Sequence, residues 1–248
     1  MQIGLIGLGN IGYSMCRGLT SVKKFTVFAY DRNQSKRNEV NHNYGTRITK
    51  TGLDAVKSSE LIVLCVKTAQ AIDWIKAHLE HLSSKTLILV QSGLNTQELK
   101  ELNLPNVIRV ITNVNVSEKV GHTVVLHNSC EKFNEALSVF NELGNVLIVK
   151  NEAEFDEVSL ITGCAPAITA MFTKGLESCH NGNIELIVDV VTNSLNVMKK
   201  TQSNPYEYAN KTYTKGGVFE KCVVGIGQNS SFQNEIKNWL NPLKESLK

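Results

Sequence analysis

Over residues 1–150, short unbroken runs of apolar side chains alternate with stretches where apolar residues recur every three or four positions; beyond Lys150 only the second pattern persists. Unbroken runs suit strands buried on both faces, and the longer recurrence suits helices with one buried stripe. The runs predict strands at Gln2–Leu5, Thr26–Tyr30, Leu61–Val66, Thr86–Val90, Val107–Ile111, Thr123–His127 and Asn145–Val149. The intervening pattern predicts helices over Ser14–Thr20, Gln34–Tyr44, Gly52–Ser58, Ala69–His81, Asn95–Leu102 and Lys132–Leu143. Strict alternation of this kind gives an α/β fold, a doubly wound parallel sheet with ligands at the carboxyl ends of its strands.

The rest reads as all-helical, with periodic stretches over Glu154–Leu160, Ala165–Cys179 and Asn183–Thr201. Thr162-Gly163-Cys164-Ala165-Pro166-Ala167 is expected to interrupt the first two as a small-residue turn, with Pro166 in the first turn of a new helix. Such residues permit close approach to a ligand or to another helix, and both readings are open. Asn204-Pro205 should end the long helix, and Lys215-Gly216-Gly217 marks a loop before a final helix over Ser231–Lys248. Two domains follow, residues 1–150 and 151–248. In the long helix Ile184, Ile187, Val188, Val191, Leu195 and Met198 form a stripe that Leu186 and Val190 widen. Another subunit would cover it most simply, as a homodimer or higher homo-oligomer; burial against the sheet domain is the other reading.

Composition narrows the setting. A formal charge of +3 from dispersed lysines argues for neither nucleic acid nor an acidic membrane as partner. No apolar run approaches the roughly twenty residues of a membrane span, and the chain opens on a core strand without a basic leader. Six cysteines without a C-x-x-C pair fit a reduced, cytoplasmic setting, and the six histidines show no metal spacing, so no metal is expected. No acid-serine-histidine set is visible and the catalytic residues stay unassigned; hydride transfer would need no protein nucleophile.

The sharpest signal is Gly7-x-Gly9-x-x-Gly12, placed where the first strand runs into the first helix. A dinucleotide diphosphate needs that order: a tight turn at Gly7, open space at Gly9, close helix packing at Gly12, and N–H groups of the helix start, at Asn10 and Ile11, facing the anion. The second strand ends on Asp31-Arg32, at the spacing where an acid meets the ribose hydroxyls of NAD and an arginine meets the 2'-phosphate of NADP. The two pull in opposite directions, so binding of both NADP and NAD is expected. Residues 1–150 thus read as a Rossmann domain.

Two later strand ends carry polar groups. Cys65-Val66-Lys67 would flank the nicotinamide or simply cap a buried strand; Asn113 would orient a carboxamide or substrate, or be an ordinary turn residue. Thr214-Lys215-Gly216-Gly217, preceded by Tyr213, could form an anion-binding nest of backbone amides, to which Lys215 adds charge, or a plain loop.

In that order these stretches resemble the pyrroline-5-carboxylate reductases. The glycine turn is followed by Leu64-Cys65-Val66-Lys67 (Leu-Ala-Val-Lys-Pro in the family), then Arg109-Val110-Ile111-Thr112-Asn113 (Arg-Val-Met-Pro-Asn-Thr-Pro) and Gly121-x-Thr123. Phe155-Asp156-Glu157-Val158, Thr162 to Ala167 (Ser-Gly-Ser-Gly-Pro-Ala) and Thr214-Lys215-Gly216-Gly217 (Ser-Pro-Gly-Gly-Thr-Thr) complete the series. The resemblance implies a C-terminal dimerisation domain and reduction of a small cyclic imine acid by NADPH or NADH. Hydride adds to the C=N carbon and the nitrogen gains a proton, turning pyrroline-5-carboxylate into proline. It further implies that Thr214, Lys215, Gly216, Gly217 and Val218 hold the substrate carboxylate, with Cys65, Val66, Lys67 and Asn113 on the cofactor side. The departures gather at the substrate end: Lys215 replaces proline, Val218 and Phe219 replace threonines, and Thr68, Thr112 and Asn115 replace motif prolines. A cofactor-binding paralogue with a regulatory or interaction role and little turnover is therefore a second reading. The glycine turn also resembles β-hydroxyacid dehydrogenases, but no lysine lies between Asn151 and Thr173 to serve their chemistry.

Overall fold

In a computed structural model, residues 1–94, 96–178, 183–212, 234 and 238 are described. They begin as a regular alternation: β1 (Gln2–Ile6), α1 (Asn10–Thr20), β2 (Thr26–Tyr30), α2 (Gln34–Tyr44), β3 (Arg47–Ile48), α3 (Gly52–Lys57), β4 (Leu61–Leu64), α4 (Thr68–Leu82), β5 (Thr86–Leu89), α5 (Thr96–Glu101) and β6 (Val107–Ile111). A 3-10 turn at Val114–Glu118 leads to β7 (Gly121–Leu126), α6 (Phe133–Asn141), β8 (Gly144–Val149) and three further helices, α7 (Glu152–Ser178), α8 (Ile184–Thr201) and α9 (Pro205–Asn210).

The strands form one sheet in the order β3-β2-β1-β4-β5-β6-β7-β8. The chain leaves β1 in one direction to reach β2 and returns on its other side to β4, so a crevice opens above the carboxyl ends of β1 and β4. Both faces are buried along the central strands β4 and β5, as the unbroken apolar runs predicted, whereas Leu147 and Ile148 of the edge strand β8 are exposed. Along β4, Val63 packs into a cluster with Ile3, Leu5, Met15 and Phe140, while Ile62 and Leu64 pack into another with Val56, Ala71 and Ile75.

Three expectations are corrected. The sheet is not wholly parallel: β6 and β7 pair antiparallel, because the connection through the 3-10 turn is too short for a parallel crossover. Strand β4 stops at Leu64 instead of Val66, and Cys65 onward turns out over the crevice. The helical region is not interrupted at Thr162–Ala167; α7 continues through Pro166. Proline lacks the N–H that would bond the carbonyl four residues back, Thr162 O. The Asn113 side chain supplies the donor instead, with Nδ2 at 3.2 Å from that oxygen in a buried setting.

The chain divides into two compact units, the first covering residues 1–166, the second opening at Ala167. In the second, α8 starts on Asn183, whose side chain accepts from the Leu186 N–H, and ends on Gln202 in a left-handed conformation. Not one residue of α8 is buried, and Leu186, Val190 and Leu195 are each at least half exposed. Among the described residues no helix is long and apolar enough to cross a membrane.

Candidate functional site

The first glycine turn is set by backbone geometry at both ends. Gly7 has φ of +95°, which side chains rarely adopt, and a Cβ there would lie 2.8 Å from Cys65 O. Its N–H donates to Tyr30 O at 2.8 Å, and the Cys65 N–H donates to Ile6 O at 2.7 Å, so the ends of β2, β1 and β4 are tied around the turn. Gly12 is required for packing, since a Cβ would sit 1.9 Å from Gly7 O.

Gly9 is different. Its φ of −73° suits any residue, and a Cβ built on it would meet nothing within 4 Å. Neither conformation nor packing asks for glycine, which leaves the open space itself as the feature. Gly9 is also the N-cap of α1, with no side-chain hydrogen bond and no acid in the first turn. The leading N–H groups of a helix have no intrahelical partner, and here no side chain caps them, so a diphosphate fits the cradle.

Asp31 joins two backbone segments. Its Oδ2 accepts from the Leu8 N–H at 2.7 Å and its Oδ1 from the Asn33 N–H at 2.8 Å. One carboxylate thereby fixes the glycine turn and the loop after β2 together, and both of its oxygens are engaged by backbone.

A cleft of about 620 Å3 lies over this framework, bringing together Gly7, Gly9, Asp31, Arg32, Cys65, Val66 and Lys67 of the residues predicted from sequence. Asn10 and Gly9 line a smaller hollow of about 400 Å3 with Tyr13 and Lys36. Ile11 and Gly12 lie behind the turn in α1, and neither lines the cleft. Asn113 does not line it either; it is 6% exposed, with Nδ2 on Thr162 O and Oδ1 accepting from the Asn115 N–H at 3.2 Å. Thr214, Lys215, Gly216, Gly217 and Val218 lie outside the described residues.

Sequence reasoning missed several wall residues. Gln70 and Trp74 project from α4 on the face that begins with Lys67, a spacing of three and then four, and Asn33 and Lys36 extend the Asp31-Arg32 corner. Gln91, buried two residues beyond β5, was missed too: its Nε2 donates to Leu64 O at 2.8 Å and Val66 O at 3.0 Å, pinning the turn that carries Cys65 to Lys67.

The cleft mixes charges, with Arg32, Lys36 and Lys67 against Asp31 and Asp73. Cys65 adds no charge: burial pushes its thiol up to about 12, so at neutral pH it is a protonated, weakly polar wall. Among the described residues no group of histidine, cysteine and acidic side chains is placed to hold a metal ion.

Residues 2–93 match the family described as NADP oxidoreductase coenzyme F420-dependent. The pyrroline-5-carboxylate reductase of Methanobrevibacter smithii is 25% identical over 241 residues, covering 89% of this chain and 95% of that protein. The chain resembles the pyrroline-5-carboxylate reductases. Among solved structures, the Plasmodium falciparum pyrroline carboxylate reductase with NADP bound superposes with a TM-score of 0.86 at 21% identity, covering 100% of this chain and 97% of that one. The Coxiella burnetii pyrroline-5-carboxylate reductase gives 0.79 at 20% identity, with 99% and 98% covered. These structures bear out the fold, a Rossmann-type sheet followed by helices, and the relatives bear out the resemblance read from the motifs.

Proposed function

We propose that the chain is an NAD(P)H-dependent oxidoreductase acting on C=N bonds, reducing pyrroline-5-carboxylate to proline or a close cyclic imine acid. One observation carries the cofactor half: at Gly9 the protein leaves room for a side chain that neither its conformation nor its packing forbids, directly over an uncapped helix start. The relatives' names support the substrate half.

In this reading Gly7, Gly9, Asn10, Ile11 and Gly12 form the diphosphate cradle, with Gly7 and Gly12 shaping it and Gly9 leaving it open. Arg32 and Lys36 offer charge to a 2'-phosphate, and Asp31 holds the turn in place. Cys65, Val66 and Lys67 line the path toward the nicotinamide, and the bound cofactor supplies the hydride. Asn113 serves this end from behind by holding α7. The loop from Thr214 to Val218 takes the substrate carboxylate through its backbone amides. Residues 1–150 act as the dinucleotide-binding part; 151–248 supply substrate contacts and self-association, for which the exposed stripe of α8 is the support. A reducing, cytoplasmic setting belongs to the reading and agrees with four free cysteines among the described residues.

Oxidation of NADPH and NADH, followed at 340 nm with pyrroline-5-carboxylate and then with a panel of cyclic imines, tests the proposal. Turnover on one of them is expected. Tight nucleotide binding without turnover on any imine would favour the regulatory reading, which Lys215, Val218 and Phe219 in place of the family residues support. Failure to bind either nucleotide at millimolar concentration would overturn both.

A further inference from the structure

We infer that Trp74 is the stacking wall for the adenine base, held in its working position by His78; this rests on the reading that the cleft takes a dinucleotide. Trp74 lies half-buried on α4 and lines the cleft with Gln70. Its place along the cleft is fixed by Gly52, where an added Cβ would meet Tyr30 Cδ1 at 3.4 Å and Trp74 Cζ2 and Nε1 at 3.6 Å. The indole and Tyr30 therefore converge on one spot, and Tyr30 is the residue before Asp31. That corner is where the adenosine ribose sits in a sheet of this order, so Trp74 stands at the base and away from the nicotinamide.

The ring is also prepared in advance. His78, one turn further along α4, stacks on it with centroids 4.2 Å apart and planes 17° from parallel. The His78 Nδ1 is 2.8 Å from Trp74 O, so the imidazole is anchored to the same turn that it covers. A stacked neighbour removes much of the rotational freedom that an exposed indole would lose on meeting a ligand. A flat, pre-set aromatic surface at the rim of a charged cleft suits one part of a dinucleotide, the purine face, because base stacking needs area and polarisable contact without a charge.

Calorimetry on the full chain with ADP, 2',5'-ADP and nicotinamide mononucleotide separates the two ends of the ligand. Trp74→Ala should weaken both adenine nucleotides about ten-fold and leave nicotinamide mononucleotide unchanged. Trp74→Phe should keep most of the affinity, and His78→Ala should lose about two- to three-fold by freeing the ring. In turnover with NADPH, Trp74→Ala should raise KM and leave kcat alone. Trp74 and Trp239 are the chain's two tryptophans, so in Trp239→Phe the emission reports Trp74 alone, and 2',5'-ADP should quench it without any change at the wall itself. Should Trp74→Ala fail to fold, Trp74→Leu, which keeps apolar bulk but no flat face, carries the same expectation. Unchanged adenine-nucleotide affinity in either variant, with unquenched Trp74 emission, would overturn the assignment to Trp74 while leaving the dinucleotide reading intact. Absence of all nucleotide binding in the unaltered chain would instead bring down that reading and this inference with it.

Discussion

Helices α1 and α8 are both amphipathic, yet α1 buries six of its 11 residues and α8 buries none of its 18. The first meets the sheet and fills it: Met15, Cys16 and Leu19 pack with strand residues from β1, β2 and β4 in one cluster. The second presents its apolar stripe openly. Helix α7 contains both situations, with Phe155 and Leu160 buried near its start and Met171 and Phe172 exposed further along. A hydrophobic stripe in a sequence says that a face seeks cover, and it does not say which surface will provide it. At about 25 cal/mol per Å2, covering several half-exposed Leu, Val and Ile side chains is worth several kcal/mol in total, a gain that any partner must set against the freedom lost on association.

The closed half is the easier to break. Gly12→Val should have the largest effect, because its Cβ would fall on Gly7 O, in a turn held by the Gly7 N–H on Tyr30 O and by the Cys65 N–H on Ile6 O. A loss of about 3 kcal/mol or more and no measurable nucleotide binding are expected from thermal melts and calorimetry. A normal melting temperature would mean that the turn is looser than its geometry implies. The open half is tested next by Leu186→Glu together with Val190→Glu, which puts charge on the stripe. Light scattering should show the particle mass halve, with the melting of the sheet half little changed. An unaltered chain that is already monomeric at micromolar concentration would sink the self-association reading.

Gly9→Ala sharpens the comparison within a single motif. No atom obstructs the new methyl and φ is ordinary, so the melting temperature should hold or rise slightly as the unfolded chain loses freedom. NADPH affinity should nevertheless fall about ten- to a hundred-fold as measured by fluorescence titration, since the methyl occupies the diphosphate's space. Unimpaired binding would deny Gly9 its role and remove the chief support for the cofactor site.

How much of this was legible in the chain follows from how local each cause is. The ranges of β2, α2 and β6 were readable to the residue, because strand and helix periodicity is set within a few neighbours. The glycine motif was readable together with the separate roles of Gly9 and Gly12, but the atoms that enforce them, Gly7 O beside Gly12 and the Cys65 carbonyl beside Gly7, were not, since they depend on what lies across the turn. Gln70 and Trp74 were hidden because residues on a helix after a buried strand read as core or surface alike until the crevice is seen. The continuity of α7 through Pro166 was misread for a plainer reason: the donor that replaces the missing N–H sits 49 residues upstream of the carbonyl it serves.

That replacement yields the smallest and most specific expectation, at the place where the buried stretch of α7 gives way to the exposed one. Asn113→Ala should cost about 1 to 3 kcal/mol, because Thr162 O is left buried without a donor and the Asn115 N–H loses its cap. Pro166→Ala alone should be close to neutral, since it restores an N–H where a partner already serves. In the double variant the alanine N–H can reach Thr162 O along the helix, so the cost of losing Asn113 should shrink by about 1 kcal/mol in urea unfolding. The lost cap on the 3-10 turn is the same with or without Pro166 and cancels in the cycle. Strict additivity would mean that the Asn113 amide is not standing in for the proline's absent hydrogen. A coupling of the expected sign would identify that amide as what lets one helix run unbroken from the closed half toward the open one.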